Sequence, residues 1–263
     1  MSSSETVKLP GLSQRIGTIL LPVARKARVE DVRIGLGYTA VLLDEDRLGV
    51  AYTFRHEAQG GCCVFEGLRP ISGRPASDLL ALIGSPDRIE AAVGLACANA
   101  LANSPGEGVQ EGDVLGHLCL RRTDRVAMVG YFGPLVGSIR EQAESLTVFD
   151  LVDRPGADVR PAAEAADALP GCQIALITAT AIINQTMDAL LHAAANCREV
   201  AIVGPSTPML REAFGATKVT LLSGVVAKSP KDILRAVSEG GGMRQFSPYV
   251  RKVSLKIPGF SKS

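Results

Sequence analysis

The sequence predicts an α/β protein in which a small mixed region precedes a parallel, doubly wound sheet. Three observations predict it. Short apolar runs rich in β-branched residues recur in the second half, at 126–129, 146–151, 174–178, 200–203 and 218–222, with segments of helical spacing or polar turns between them. Such alternation builds parallel sheets through crossover helices. The first half lacks it: 32–43 and 48–54 are β-rich runs joined by the polar turn Asp44-Glu45-Asp46-Arg47, the pattern of an antiparallel hairpin, and helical patterns follow. Between the halves lies NSPGEGVQEGDVLG, residues 103–116, a loop rich in glycine, proline and acid. A domain boundary belongs within or just after it, dividing the chain into 1–110 and 111–263.

Taken in order, residues 13–26 form an amphipathic helix with Ile16, Ile19, Leu20 and Val23 on one face, which Pro22 ends or kinks. Gly35 and Gly37 interrupt the first β run beside Tyr38, the mark of a bulge or a close backbone approach. Ser77 caps a short helix over 78–83. Ser85-Pro86 then supplies a cap and a first-turn proline for a helix through Ala102, with Ile89, Ala92, Val93, Ala96 and Ala100 as its buried stripe and Asn99 at the edge. In the second half, residues 118–124 lead into the first parallel strand and a short helix falls at 162–169. Asn184 caps a helix through Asn196, Thr207-Pro208 repeats the cap-and-proline start, and Ser229-Pro230 opens a helix closing at Gly240-Gly241-Gly242. Beyond Gly242 the chain reads as a basic, irregular covering tail.

Composition excludes several function classes. The 263 residues carry a formal net charge of +1, and four Tyr and seven Phe are not interleaved with a basic stripe, so there is no footprint for nucleic acid or an anionic membrane. The start, MSSSETVKLPGL, lacks signal-peptide order, and no apolar run approaches the roughly 18 residues of a membrane span. The expectation is a cytoplasmic protein. A homodimer would follow from an exposed apolar face, which periodicity does not separate from core. Six cysteines include no C-x-x-C, and most sit in apolar runs as buried thiols. Cys62-Cys63, close after His56, is the exception; the three are the weak metal candidates, since adjacent side chains in a strand point to opposite faces.

The chemistry concentrates at three strand ends. Gly130, Tyr131, Phe132, Gly133 and Pro134 form the turn between the run at 126–129 and a helix carrying Val136, Ile139 and Ala143. In a parallel sheet that turn leaves backbone N–H groups at a helix start, facing the crevice where ligands bind. Asp150, about twenty residues on, falls where nucleoside-binding folds keep a carboxylate for ribose hydroxyls. The glycines spell G-x-x-G-x-x-x-G and Pro134 removes a donor, so a turn without phosphate stands beside a dinucleotide site. Thr178, Thr180 and Asn184 follow the next strand, and Gly204, Pro205, Ser206 and Thr207 the one after. These offer neutral hydrogen-bonding groups, with Asp150 and Asp153 supplying charge; Asn184 and Thr207 also read as simple caps. There is no G-x-S-x-G, no G-x-x-x-x-G-K-[ST] and no H-E-x-x-H, and His117 and His192 fit structural roles, so catalytic residues stay unassigned.

Five stretches in order, SGRPASDLL (72–80), AVGLACANAL (92–101), VGYFGP (129–134), ITATAIINQT (177–186) and VGPSTP (203–208), resemble the DUF364 family, described as "putative heavy-metal chelation", with its N-terminal partner DUF4213. The resemblance spans about 32–242. It implies an enolase N-terminal-like domain followed by a Rossmann-like domain partly similar to methyltransferases, with a pocket between them that Asn99 helps to close. It implies a role in chelating heavy metals, or in making or breaking pterin-, flavin- or siderophore-like molecules. Three readings follow: a small-molecule protein with an inter-domain site, a non-enzymatic carrier or sensor of a metal or metallophore, and an S-adenosylmethionine-dependent enzyme. Whether the chain is an enzyme stays open, as does its cofactor, for which a heavy-metal ion or metal chelate is the implied candidate.

Overall fold

The computed structural model describes residues 10–57, 65, 69–151 and 158–258. Helix α1 (Leu12–Ala24) buries Leu12, Ile16, Leu20 and Ala24, spaced at four, and Pro22 is accommodated in its last turn. A meander follows: β1 (Val29–Ile34), β2 (Tyr38–Leu43) and β3 (Leu48–Tyr52), antiparallel in that order. The expected single strand over 32–43 is therefore two, because Gly35–Gly37 turns the chain, closed by Gly35 N–H donating to the Tyr38 carbonyl at 3.0 Å.

Helix α2 (Ala76–Leu80) and a 3-10 turn (Ala81–Gly84) lead to α3 (Arg88–Ala102). The cap of α3 is Asp87, whose carboxylate accepts from Ile89 and Glu90 N–H, and not Ser85; Pro86 lies outside the helix. Eleven of its fifteen residues are buried, so α3 is the pillar of this unit, packed on β2 and β3.

Strand β4 (Val109–Glu111) precedes β5 (Arg125–Val129), α4 (Gly133–Gln142), β6 (Ser145–Asp150), β7 (Arg160–Pro161), α5 (Ala165–Ala168), β8 (Ile174–Thr178), α6 (Met187–Ala193), β9 (Glu199–Val203), α7 (Arg211–Phe214), β10 (Leu221–Ala227), α8 (Pro230–Ser238), α9 (Met243–Phe246) and β11 (Val250–Lys256). The second sheet has eight strands among the described residues, ordered β4-β11-β10-β9-β8-β5-β6-β7. Pairs from β10 through β7 are parallel; β11 runs antiparallel to both β10 and β4.

Three expectations are corrected here. The tail beyond Gly242 is not irregular: it supplies α9 and a seven-residue strand inside the sheet. The strand expected to end at Leu222 starts at Leu221 and runs to Ala227. Thr207-Pro208 starts no helix, since 207–210 has no regular structure and α7 begins at Arg211. One face of the large sheet, with Ala127, Ile177 and Ile202, shares a continuous core with α1 and α3; the opposite face, with Met128 and Leu176, packs under α4. No helix among the described residues is long and apolar enough to cross a membrane.

Candidate functional site

Chain progression reverses between β5 and β8: β5, β6 and β7 step one way along the sheet, β8, β9 and β10 the other. Connections leave such a pair on opposite faces, and a crevice opens above its C-terminal ends. Gly130, just past β5, has φ of 91°, and a Cβ there would sit 2.8 Å from Cβ of Thr178 at the end of β8. Only glycine fits, and its absent side chain lets the two strand ends touch. Thr178 Oγ1 lies 3.0 Å from Thr180 Oγ1 and accepts the Thr180 N–H at 3.3 Å, closing the turn that follows β8.

At the end of β6, Asp150 Oδ2 accepts the Tyr131 N–H at 3.2 Å and Oδ1 accepts its neighbour Leu151 N–H at 2.7 Å. The carboxylate thus fixes the 130–134 turn and uses one of the N–H groups that the turn would otherwise offer a ligand. Pro134 sits in the first turn of α4, removing a further donor. Across β8, the Phe132 ring reaches the β9 turn: a Cβ on Gly204, φ 112°, would lie 3.5 Å from its Cε1. The structure therefore brings Gly130–Pro134, Asp150, Thr178, Thr180 and Gly204 to one sheet edge.

The other candidates stand differently. Ser206 and Thr207 are buried against the first unit, where Ser206 Oγ accepts the Tyr52 N–H at 2.9 Å. Asn99, fully buried, donates through Nδ2 to the carbonyls of Val50, 2.8 Å, and Ser206, 3.1 Å. Its Oδ1 and the Thr207 hydroxyl have no partner among the described residues. Asn184 is turned toward α6, accepting the Thr186 hydroxyl at 2.7 Å and N–H at 3.2 Å. Asn103 was not anticipated: its amide donates to the carbonyls of Thr207 and Val225 and accepts the Met209 N–H. Its signal was the spacing Asn99–Asn103, which places two amides on one helix face.

The described donors do not fit a resident heavy-metal ion. No three His, Cys, Asp or Glu side chains gather among them, and hydroxyl, carbonyl and single-carboxylate oxygens are hard donors. Burial pushes the Cys97 thiol up to about 12 and the Cys197 thiol up to about 11, the second also raised by neighbouring Cys172, so both are thiols and not thiolates at neutral pH. Of the metal candidates, His56 is exposed in a 3-10 turn (Arg55–Glu57), while Cys62 and Cys63 lie outside the described residues, as does Asp153.

Comparison with known proteins agrees with this architecture. Residues 113–256 match the DUF364 family and 18–102 match DUF4213, both described as "putative heavy-metal chelation". The uncharacterised protein MJ0500 of Methanocaldococcus jannaschii is 26% identical over 221 residues, covering 79% of this chain and 83% of its own. A DUF364-family crystal structure from Pyrococcus horikoshii, 25% identical, superposes with a TM-score of 0.81 over 94% of this chain and 100% of that one. A second, from Desulfitobacterium hafniense, is 21% identical with a TM-score of 0.77 over 92% and 98%, and shares the fold. On these matches the chain belongs to the DUF364 family and carries the DUF4213 region ahead of it.

Proposed function

We propose that the protein binds a small polar organic molecule at the β5/β8 edge and that heavy metal reaches it as a chelate, not as a bare ion. Pterin-, flavin- and siderophore-like molecules are the ligand classes. The observation that carries this is the meeting of the Gly130 turn with Thr178 at the sheet reversal, with the Asp150 carboxylate fixed beside it. The described donors at the edge, hydroxyls, backbone N–H groups and one carboxylate, suit a polar organic molecule or chelate better than a bare soft ion. The order β7-β6-β5-β8-β9-β10 supports reading the larger unit as Rossmann-like, and the meander with its helices supports an enolase N-terminal-like first unit. A nucleoside-bearing ligand such as S-adenosylmethionine is the second reading, favoured by Asp150 at the end of β6.

The test is a thermal-shift series with pterin-6-carboxylate, FMN, ferric dihydroxybenzoate, S-adenosylmethionine and Cu(II) alone. One organic probe or chelate raises the midpoint of the wild type. Asp150→Ala weakens its binding at least tenfold, about 1.4 kcal/mol. Asp150→Asn, which keeps an acceptor for the Tyr131 N–H, separates loss of charge from loss of the turn. Stabilisation by Cu(II) alone, or an organic shift untouched in both variants, overturns the reading.

A further inference from the structure

A cleft of about 540 Å³ opens between the two sequence regions, walled by α1, by α2 with the 3-10 turn after it, and by the start of α6. None of the sheet-edge candidates lines it, so it is separate from the site proposed above. Its volume is that of a small-molecule pocket.

Two wall residues are glycines that neither packing nor backbone requires. Gly17 lies in the interior of α1, where a Cβ would meet nothing nearer than Ile83 Cγ2 at 4.0 Å; at Gly84 it would meet nothing within 4 Å. Neither has a left-handed φ. Glycine inside a helix is less favourable than alanine because it loses more backbone freedom on folding. What the two glycines do is leave the cleft open. A strained residue stands at its rim: Gln185 has φ of 60°, and its amide donates to the Ser85 carbonyl at 2.8 Å, holding the start of α6 against the first unit. Non-glycine residues keep such a backbone only when their surroundings enforce it.

The lining sets the ligand's chemistry. Leu80, Ile83 and Met187 give it an apolar wall, and Thr18 and Gln185 add neutral polar groups. Among the described residues, Asp188 is its one charged side chain; both carboxylate oxygens receive the Leu12 N–H at 3.1 Å, and no described Lys, Arg or His lines the cleft. A lone carboxylate disfavours an anion. We propose that this cleft is a second ligand site, for a neutral or singly cationic molecule with an apolar body.

The experiment is a fluorescence titration with Nile red, which is neutral, beside anilinonaphthalene sulfonate, which is anionic. Wild-type protein binds Nile red saturably at one site and the anion at least tenfold more weakly. Gly17→Leu and Gly84→Leu, which fill the cleft from opposite walls, each lose Nile red at least tenfold, whereas Asp150→Ala binds as the wild type. Absence of saturable Nile red binding, equal affinity for the anion, or unchanged binding in a folded filling variant overturns the proposal. Should Gly17→Leu fail to fold, Gly84→Leu decides, because Gly84 is exposed. Loss of Nile red in Asp150→Ala would assign the probe to the sheet edge and overturn it too.

Discussion

Cys97 has no exposed surface on α3, and its thiol donates to the Ala76 carbonyl at 3.4 Å. Burial raises its pKa from 9.0 to about 12, so the folded state holds a proton that the unfolded chain releases near pH 9. The sign follows directly: a raised pKa adds stability that is complete below pH 9 and is lost as pH climbs toward 12. Cys197, raised to about 11, acts in the same direction over pH 9–11. In urea titrations between pH 8 and 11, wild-type stability is expected to hold and then fall. Cys97→Ala flattens the fall by up to about 1.4 kcal/mol per pH unit. An identical slope in the variant would show that the thiol is hydrated in the native state. That Cys97 is buried was legible from its apolar neighbours; the burial of Cys197, between Asn196 and Arg198, was not. Asp150 was legible only as a position, because its role in fixing the 130–134 turn rests on a bond to Tyr131, nineteen residues away.

Among elements, α3 joins the two units through amides one turn apart. Asn99 holds Val50 of β3 and Ser206; Asn103 holds Thr207, Val225 of β10 and Met209. Asn103→Ala would leave an N–H and two carbonyls buried without that partner. Each buried group so orphaned costs about 1–3 kcal/mol, less where a carbonyl keeps another bond, so a loss of about 3 kcal/mol is expected in urea. A loss within about 0.5 kcal/mol, the usual surface value, would show the 204–209 loop held by its backbone alone. The same elements show what periodicity reveals. Strands β5, β8 and β9 announced themselves as apolar runs because alternate residues enter a core on each face of the sheet. Strand β11, VRKVSLK, did not: its exposed Arg251, Lys252 and Lys256 alternate irregularly with buried residues, and its place is set by pairing with β10 along seven residues. Strand β4 has three residues and no pattern of its own; it exists because β11 offers it a partner.

At the scale of the molecule, the candidate edge was readable as three loops, since each follows an apolar run. Which loops meet was not, because Asn99 reaches Ser206 across 107 residues of chain and Phe132 reaches Gly204 past β6, β7 and β8. The cleft beside Gly17 was invisible for the same reason, since its walls come from three stretches far apart in the sequence, 11–21, 77–84 and 181–188. Those long-range contacts also govern how the chain unfolds. One hydrophobic core runs from Leu12 and Leu95 in the first region to Ile177 and Phe214 in the second, and the docking bonds of Tyr52, Asn99 and Asn103 lie within it. Separating the units would expose that core and strand the amides, so the two regions should open together although the length alone would allow two domains. In hydrogen exchange followed by mass spectrometry, peptides covering β2 and β10 are expected to converge on one opening free energy, and Asn103→Ala to lower both by the same amount. If β2 exchanged through a cheaper opening that left β10 protected, the first unit would be an independent lid on the sheet edge; a shared value makes it part of the scaffold that shapes the site.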